Sequence, residues 1–129
     1  MKLLLDMHVL LWCATEPSRL RDAARDVIED GSSDVYVSAV TAWEIAIKQS
    51  LGKLELPQPA ELWVPDVLRT SGFEAAPVEP TAALRVRALP FHHRDPFDRL
   101  LIAHALEDGY SIVTHDPKFE PYGVGVILA

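Results

Sequence analysis

The sequence predicts a three-layer α/β fold, in which a central, mostly parallel sheet is flanked by helices. Short apolar or β-branched runs alternate along the chain with longer segments of helical periodicity. The first run, residues 2–5, is apolar after Lys2 and has no polar face, as expected of a parallel strand covered on both sides. The length of 129 residues, with no repeat or linker, fits a single domain spanning residues 1–129.

The first half of the chain contains two predicted strand–helix pairs. The strand at residues 2–5 ends at Asp6, and Ser18 is expected to cap a helix over residues 19–28. A second strand is predicted at residues 35–37, and a helix over residues 39–50 follows it.

The second half continues the alternation. A helix is predicted over residues 60–70, where Pro65 should introduce a kink or mark the first turn, followed by a strand at 73–76 and a short helix at 81–89. Asp95 directly before Pro96 is a strong helix start, and Gly109 ends that helix. Strands are then predicted at residues 111–114 and 123–128.

Charge, cysteine content and the length of apolar runs limit the class of protein. The formal charge of -7, from 19 acidic and 12 basic residues, has the wrong sign for broad neutralisation of nucleic-acid phosphates. Cys13 is the only cysteine, so no internal disulfide can form. No apolar run approaches the ~18–20 residues needed to span a bilayer, and we expect a cytoplasmic protein without membrane association.

Four acidic residues follow predicted strands or lie in early turns of predicted helices: Asp6, Glu44, Asp98 and Asp116. Each has an ordinary structural explanation as well. Asp6 could cap a helix, Glu44 could pair with Lys48 one turn later, and Asp116 could begin a turn before Pro117. Asp98 could serve only as a favourable charge in the first turn of its helix.

The predicted sheet changes the interpretation of these acids, because all four positions fall on the same edge of a parallel sheet. Two carboxylates about 5 Å apart repel each other by roughly 3 kcal/mol at an effective dielectric of 20. A cation is the natural compensation, and carboxylates without cysteine favour Mg²⁺ or Mn²⁺. Such a site suits hydrolysis of phosphodiester bonds.

Four sequence blocks resemble the PIN-domain family, and within it the VapC toxins of type II toxin–antitoxin systems. The blocks are a strand ending in Asp6 with His8 after it, a Trp-Glu-Ile helix at residues 43–45, His-Arg-Asp-Pro-Phe-Asp-Arg-Leu-Leu-Ile-Ala at 93–103, and Val-Thr-His-Asp at 113–116. The spacing of these blocks agrees with the family over nearly the whole chain.

The resemblance implies that Asp6, Glu44, Asp98 and Asp116 are the catalytic metal ligands. It marks Asp95 as an extra acid of this branch, and we expect Asp95, Thr114 and His115 to support the ligands. It further implies Mg²⁺- or Mn²⁺-dependent cleavage of RNA, a cognate antitoxin that covers the site, and a homodimer. One position departs from the family: Met7 stands where Thr or Ser is common, and a thioether is a poor ligand for hard cations.

Other polar and aromatic residues receive less specific interpretations. His92, His93 and Arg94 could contact phosphate, and Lys48, Lys53, Arg99 and Lys118 could line a groove, but isolated basic residues are mostly solvated. His8 and His115 could orient a carboxylate or a water. Trp12, Trp43 and Trp63 could stack on bases, although burial in the core or an interface is the more common role.

Two other classes of function remain open on the residues alone. A metal-dependent DNA nuclease or phosphatase could use the same acids, although an aspartyl phosphatase would usually have a second Asp where His8 stands. A degenerate PIN domain acting as a binding module is the alternative that Met7 favours.

Overall fold

Five parallel strands form the central sheet in this computed structural model, which describes residues 1–129. The strands are β1 (Lys2–Leu5), β2 (Asp34–Ser38), β3 (Glu74–Ala76), β4 (Ser111–Thr114) and β5 (Gly125–Leu128). Their spatial order is β3-β2-β1-β4-β5, and every neighbouring pair is parallel. The three-layer α/β prediction is therefore confirmed. The strand order reverses around β1, at the centre of the sheet, where ligand sites of such folds usually form.

Six α-helices connect the strands: α1 (Met7–Thr15), α2 (Asp22–Glu29), α3 (Ala39–Ser50), α4 (Ala60–Ser71), α5 (Pro80–Leu84) and α6 (Pro96–Asp108). Short 3₁₀ helices occupy Pro17–Arg19, Arg85–Ala88 and Pro117–Tyr122. None of the helices combines the length and apolar character that crossing a bilayer would require.

Side chains of β1 alternate between two hydrophobic cores, one on each face of the sheet. Leu3 and Leu5 pack with α1, α2, α3 and α4, whereas Leu4 packs with α6 and with Phe119 on the opposite face. All three leucines are fully buried. This double burial explains why β1 has no polar face.

Helix α1 was not predicted, because its nine residues contain no polar stripe and follow β1 without a loop. The prediction that Ser18 caps a helix is wrong. Ser18 lies within the 3₁₀ helix, and α2 begins only at Asp22, after Arg21, which makes no side-chain capping bond. Between them Leu20 is extended and 5% exposed, so burial of this side chain overrides the local capping signal.

The other helix boundaries show smaller differences. The helix predicted at 81–89 is divided into α5 and a 3₁₀ turn. Pro65 lies inside α4, which continues to Ser71. The start of α6 agrees with the prediction, since the Asp95 side chain accepts a hydrogen bond from the Asp98 N–H at 3.0 Å and Gly109 ends the helix at a φ of +77°.

Arg99 of α6 is buried, contrary to the expectation that it is solvated. Its guanidinium donates to the carbonyl oxygens of Pro90 at 2.8 Å and of Leu89 at 3.1 Å. It also donates to the carbonyls of His93 at 3.2 Å and Val86 at 3.3 Å. Arg99 therefore holds the loop that leads into α6 against the helix itself.

Replacing this guanidinium should be costly. Arg99→Met should lower the free energy of unfolding by about 3 kcal/mol, because the buried Leu89 carbonyl would lose its donor and the charge-assisted hydrogen bonds to Pro90, His93 and Val86 would be lost as well. Urea denaturation measures the change. Arg87→Met is the matched control, since Arg87 is exposed and makes no side-chain contact of this kind; equal losses of stability in the two variants would contradict the proposed anchoring.

Candidate active site

Five acidic side chains from separate parts of the sequence line one cavity of about 190 Å³ at the carboxyl-terminal edge of the sheet. They are Asp6, Glu44, Asp95, Asp98 and Asp116. The predicted site residues are thus brought together, with His115 also on the cavity wall and Thr114 beneath it.

Asp6 is fixed at the junction of β1 and α1. Its Oδ1 accepts a hydrogen bond from the Val9 N–H at 2.9 Å, so the capping explanation and the site explanation both apply. Its exposed fraction is only 5%. Burial raises the pKa of Asp6, although the hydrogen bonds from Thr114 and Val9 act in the opposite direction.

Thr114 links two of the acids. Its hydroxyl donates to Asp6 Oδ2, and the same hydroxyl oxygen accepts from the Asp116 N–H at 3.1 Å. The side chain has no exposed surface. Thr114 therefore supplies a hydroxyl to Asp6 from β4, which matters because Met7 cannot supply one from α1.

Glu44 forms the predicted ion pair with Lys48, with Lys48 Nζ 2.6 Å from Glu44 Oε2, but the pair is not on the surface. Glu44 is 7% exposed and points into the acidic cavity. Lys48 lines the same cavity. One ammonium thus compensates one of the five carboxylates.

Asp98 carries the strongest sign of electrostatic crowding. Burial, followed by the neighbouring charges of Asp95 and Glu44 and then of Asp6 and Asp116, raises the pKa of Asp98 to about 8. The position near the start of α6 would ordinarily favour its anion.

Asp116 behaves differently. Burial opposes its ionisation, but hydrogen bonds from the Lys118 N–H at 2.9 Å and from His93 outweigh burial and lower its pKa. Asp116 therefore stays ionised while Asp98 holds a proton. The turn before Pro117 that the sequence suggested is present as well.

His93 was predicted only as a possible contact for phosphate, and its contact with the acids was missed. It is 9% exposed, and its Nε2 lies 2.9 Å from Asp116 Oδ2 and 3.0 Å from Asp98 Oδ2. Its position two residues before the capping Asp95 was the available signal, because a side chain there can turn back toward the helix start.

The contacts of His93 decide its proton position. Nδ1 accepts a hydrogen bond from the Asp95 N–H at 3.2 Å, so the proton of the neutral ring lies on Nε2 and is shared between Asp98 and Asp116. Ligation of a metal through Nε2 would require moving that proton onto Nδ1, against the Asp95 N–H. His93 therefore orients the two carboxylates rather than joining them as a ligand.

The donor set fits a hard divalent cation. Carboxylate oxygens of Asp98 and Asp116 lie within 4.8 Å of each other and of His93 Nε2, and the remaining acids face the same space. Carboxylate oxygens without thiolates suit Mg²⁺ or Mn²⁺. The raised pKa of Asp98 is the second indication, because a bound cation would relieve the repulsion that contributes to it.

The remaining candidates fall into different environments. His115 is half-exposed, with Nδ1 3.8 Å from Asp6 Oδ2, and packs edge-on against His8. Met7 is buried in the hydrophobic core. Trp63 is buried as expected, whereas Trp43 is 54% exposed.

Comparison with known proteins gives a consistent picture. Residues 3–124 match the family model described as the PIN domain. Ribonuclease VapC22 of Mycobacterium tuberculosis is 33% identical over 123 residues, covering 92% of this chain and 90% of that protein.

Solved structures share the fold. A chain of VapBC2 from Rickettsia felis, bound to a promoter DNA fragment, matches with a TM-score of 0.73 and 12% identity over 100% of this chain and 99% of that chain. A chain of DNA-bound VapBC from Salmonella typhimurium matches with a TM-score of 0.71 and 18% identity, over 98% of this chain and 97% of that chain.

The crowding at Asp98 should be visible in the stability of the cation-free protein. Because the pKa of Asp98 is about 8 in the folded chain and near 3.8 when unfolded, the folded state holds a proton that the unfolded state releases. The free energy of unfolding should therefore fall as pH rises from about 5 to 8, and Asp98→Asn should remove much of this fall. Urea titrations in EDTA compare the two proteins; parallel pH profiles would contradict the crowding.

Proposed function

The chain belongs to the PIN-domain family, with the VapC proteins as its relatives, and we propose that it is a Mg²⁺- or Mn²⁺-dependent endoribonuclease, the toxin of a toxin–antitoxin pair. The observation that carries this proposal is the convergence of five carboxylates on one small cavity, with the pKa of Asp98 raised to about 8. Such a cavity is costly to maintain unless a cation occupies it.

The residues divide into ligands and supporting groups. Asp6, Glu44, Asp98 and Asp116 would hold the cation through their carboxylate oxygens. Thr114 orients Asp6, and His93 orients Asp98 and Asp116. Asp95 caps α6 and thereby sets the position of Asp98.

A divalent cation bound here would lower the pKa of a coordinated water and stabilise charge on the leaving oxygen of a phosphodiester. The protein's part is to fix the acids before the substrate arrives. Lys48 contributes an ammonium at the cavity wall, where it can face a phosphate. His115 stands at the rim, within reach of Asp6, and would orient a water or a carboxylate there.

Two alternatives are less well supported. A DNA nuclease or a phosphatase could use similar acids, but the relative that aligns along most of the chain is named a ribonuclease. A degenerate binding module would explain Met7, yet all four acids are retained around the cavity and Thr114 provides a hydroxyl to Asp6. The Thr114 hydroxyl thus supports a metal site at which position 7 need not supply one.

We also propose a cognate antitoxin as the partner that restrains the enzyme, because the solved structures that share this fold include VapBC pairs. A homodimer is the oligomeric state that the family resemblance suggests. The half-exposed Trp43 and the exposed Leu62 and Leu51 supply apolar surface for contacts of this kind.

Asp98 and Asp95 should differ in function although they are neighbours. Asp98→Asn should lower Mg²⁺-dependent RNA cleavage by more than about 100-fold, because a neutral amide replaces a ligand of the cation. Asp95→Asn should lower the rate by about 10-fold or less, since Asn caps α6 nearly as well as Asp. Cleavage of total RNA by the purified proteins, with and without Mg²⁺, measures both.

The two variants control for each other, since each replaces one carboxyl group by an amide at the same helix start. Melting temperatures in EDTA should show that each variant is folded. If Asp98→Asn remained active and Asp95→Asn were inactive, the roles of metal ligand and helix cap would have to be exchanged between the two residues. Cleavage by wild-type protein that persists in EDTA would contradict metal dependence altogether.

A further inference from the structure

A second cavity, of about 500 Å³, adjoins the acidic one and shares Met7, His8 and Lys48 with it. It lies between α1, the turn that follows α1, and the segment 53–57 after α3. We call it the α1 groove. A linear polymer bound in the acidic cavity can therefore continue directly into this groove.

The α1 groove is rich in cations for a chain of this charge. Arg19, Lys48 and Lys53 line it, together with Glu16 and Glu55, whereas the whole chain has 12 basic and 19 acidic residues. Lys48 is paired with Glu44, but Arg19 and Lys53 form no ion pair. Two exposed cations thus stand beside the acidic cavity without an acidic partner.

Planar side chains stand beside these cations. The Arg19 guanidinium lies over the ring of Trp12, 4.7 Å from its centroid, so Trp12 holds Arg19 against the groove wall. His115 packs edge-on against both Trp12, at 5.3 Å, and His8, at 4.8 Å, between centroids. Guanidinium and imidazole planes are surfaces on which unpaired bases stack.

We propose that the α1 groove binds the single-stranded stretch of substrate RNA that flanks the scissile phosphate. Lys53 and Arg19 contact its phosphates, and the planar surface of Arg19 and His8 receives a base. This inference rests on the proposed function, because it takes the acidic cavity as the place of cleavage. A duplex would not fit the same chemistry, since its bases are paired and stacked within the helix.

Binding can be tested separately from cleavage. A short fluorescein-labelled single-stranded RNA is titrated with wild-type protein in EDTA, where cleavage is arrested, and its anisotropy is recorded at several salt concentrations. Arg19→Gln and Lys53→Gln should each weaken binding several-fold and reduce the slope of log affinity against log salt by about 0.7 for each phosphate that is no longer neutralised. Arg87→Gln, which removes an exposed cation that does not line the groove, is the control and should change neither quantity.

Substitutions of Trp12 provide an independent test of binding in the groove. Trp12→Leu releases Arg19 and should weaken binding about as much as Arg19→Gln, whereas Trp12→Phe keeps an aromatic platform and should retain most of the affinity. The same RNA annealed to its complement should bind more weakly than the single strand to the wild-type protein. If Trp12→Leu does not fold, the two cation variants decide the matter.

Cleavage assays in Mg²⁺ distinguish this inference from the proposed function. Arg19→Gln combined with Lys53→Gln should raise KM more than it lowers kcat, the reverse of Asp98→Asn. If that double variant bound RNA with wild-type affinity and an unchanged salt slope, the inference would be wrong, and a polypeptide partner would become the candidate occupant of the groove. A wild-type protein that binds RNA through the groove but never cleaves it would overturn the proposed function alone.

Discussion

Repulsion among carboxylates at one edge of the sheet is the constraint on which the arrangement of this molecule depends. The fold offsets it by several separate contacts: Thr114 donates to Asp6, Lys48 pairs with Glu44, and His93 bridges Asp98 and Asp116. Burial and the charges of the neighbouring carboxylates nevertheless raise the pKa of Asp98 to about 8. The cation proposed for this cavity would relieve the part of the shift that the neighbouring charges cause.

The sequence predicted the part of this arrangement that follows from strand order and helix starts. Parallel strands end at one edge, so Asp6 and Asp116 could be placed together, and the Asp-Pro pair at 95–96 predicted the start of α6. The contacts of His93 and Arg99 could not be predicted in the same way. His93 contacts a carboxylate distant in the chain, and Arg99 contacts backbone carbonyls whose positions depend on the loop conformation. Helix α1 was missed because it has no polar stripe.

Arg99 connects the fold to the chemistry. By binding the carbonyls of the 86–93 loop it holds His93 over the acids, although it does not enter the cavity itself. The opposite side of the site differs in charge. There the α1 groove contains Arg19 and Lys53, which form no ion pair, in a chain whose formal charge is -7. On the proposed function, an acidic centre beside a groove with exposed cations would let the protein hold a metal ion and phosphates at adjacent positions, independently of its overall charge.

Calorimetric titration of Mn²⁺ into the cation-free protein tests the central claim most directly. Repeating it at about pH 7 in buffers of different ionisation enthalpy gives the number of protons released on binding. If the acids form the metal site, saturable binding should release close to one proton per cation, contributed by Asp98, and the release should disappear above about pH 9. Absence of saturable binding, or binding at pH 7 without proton release, would contradict the account.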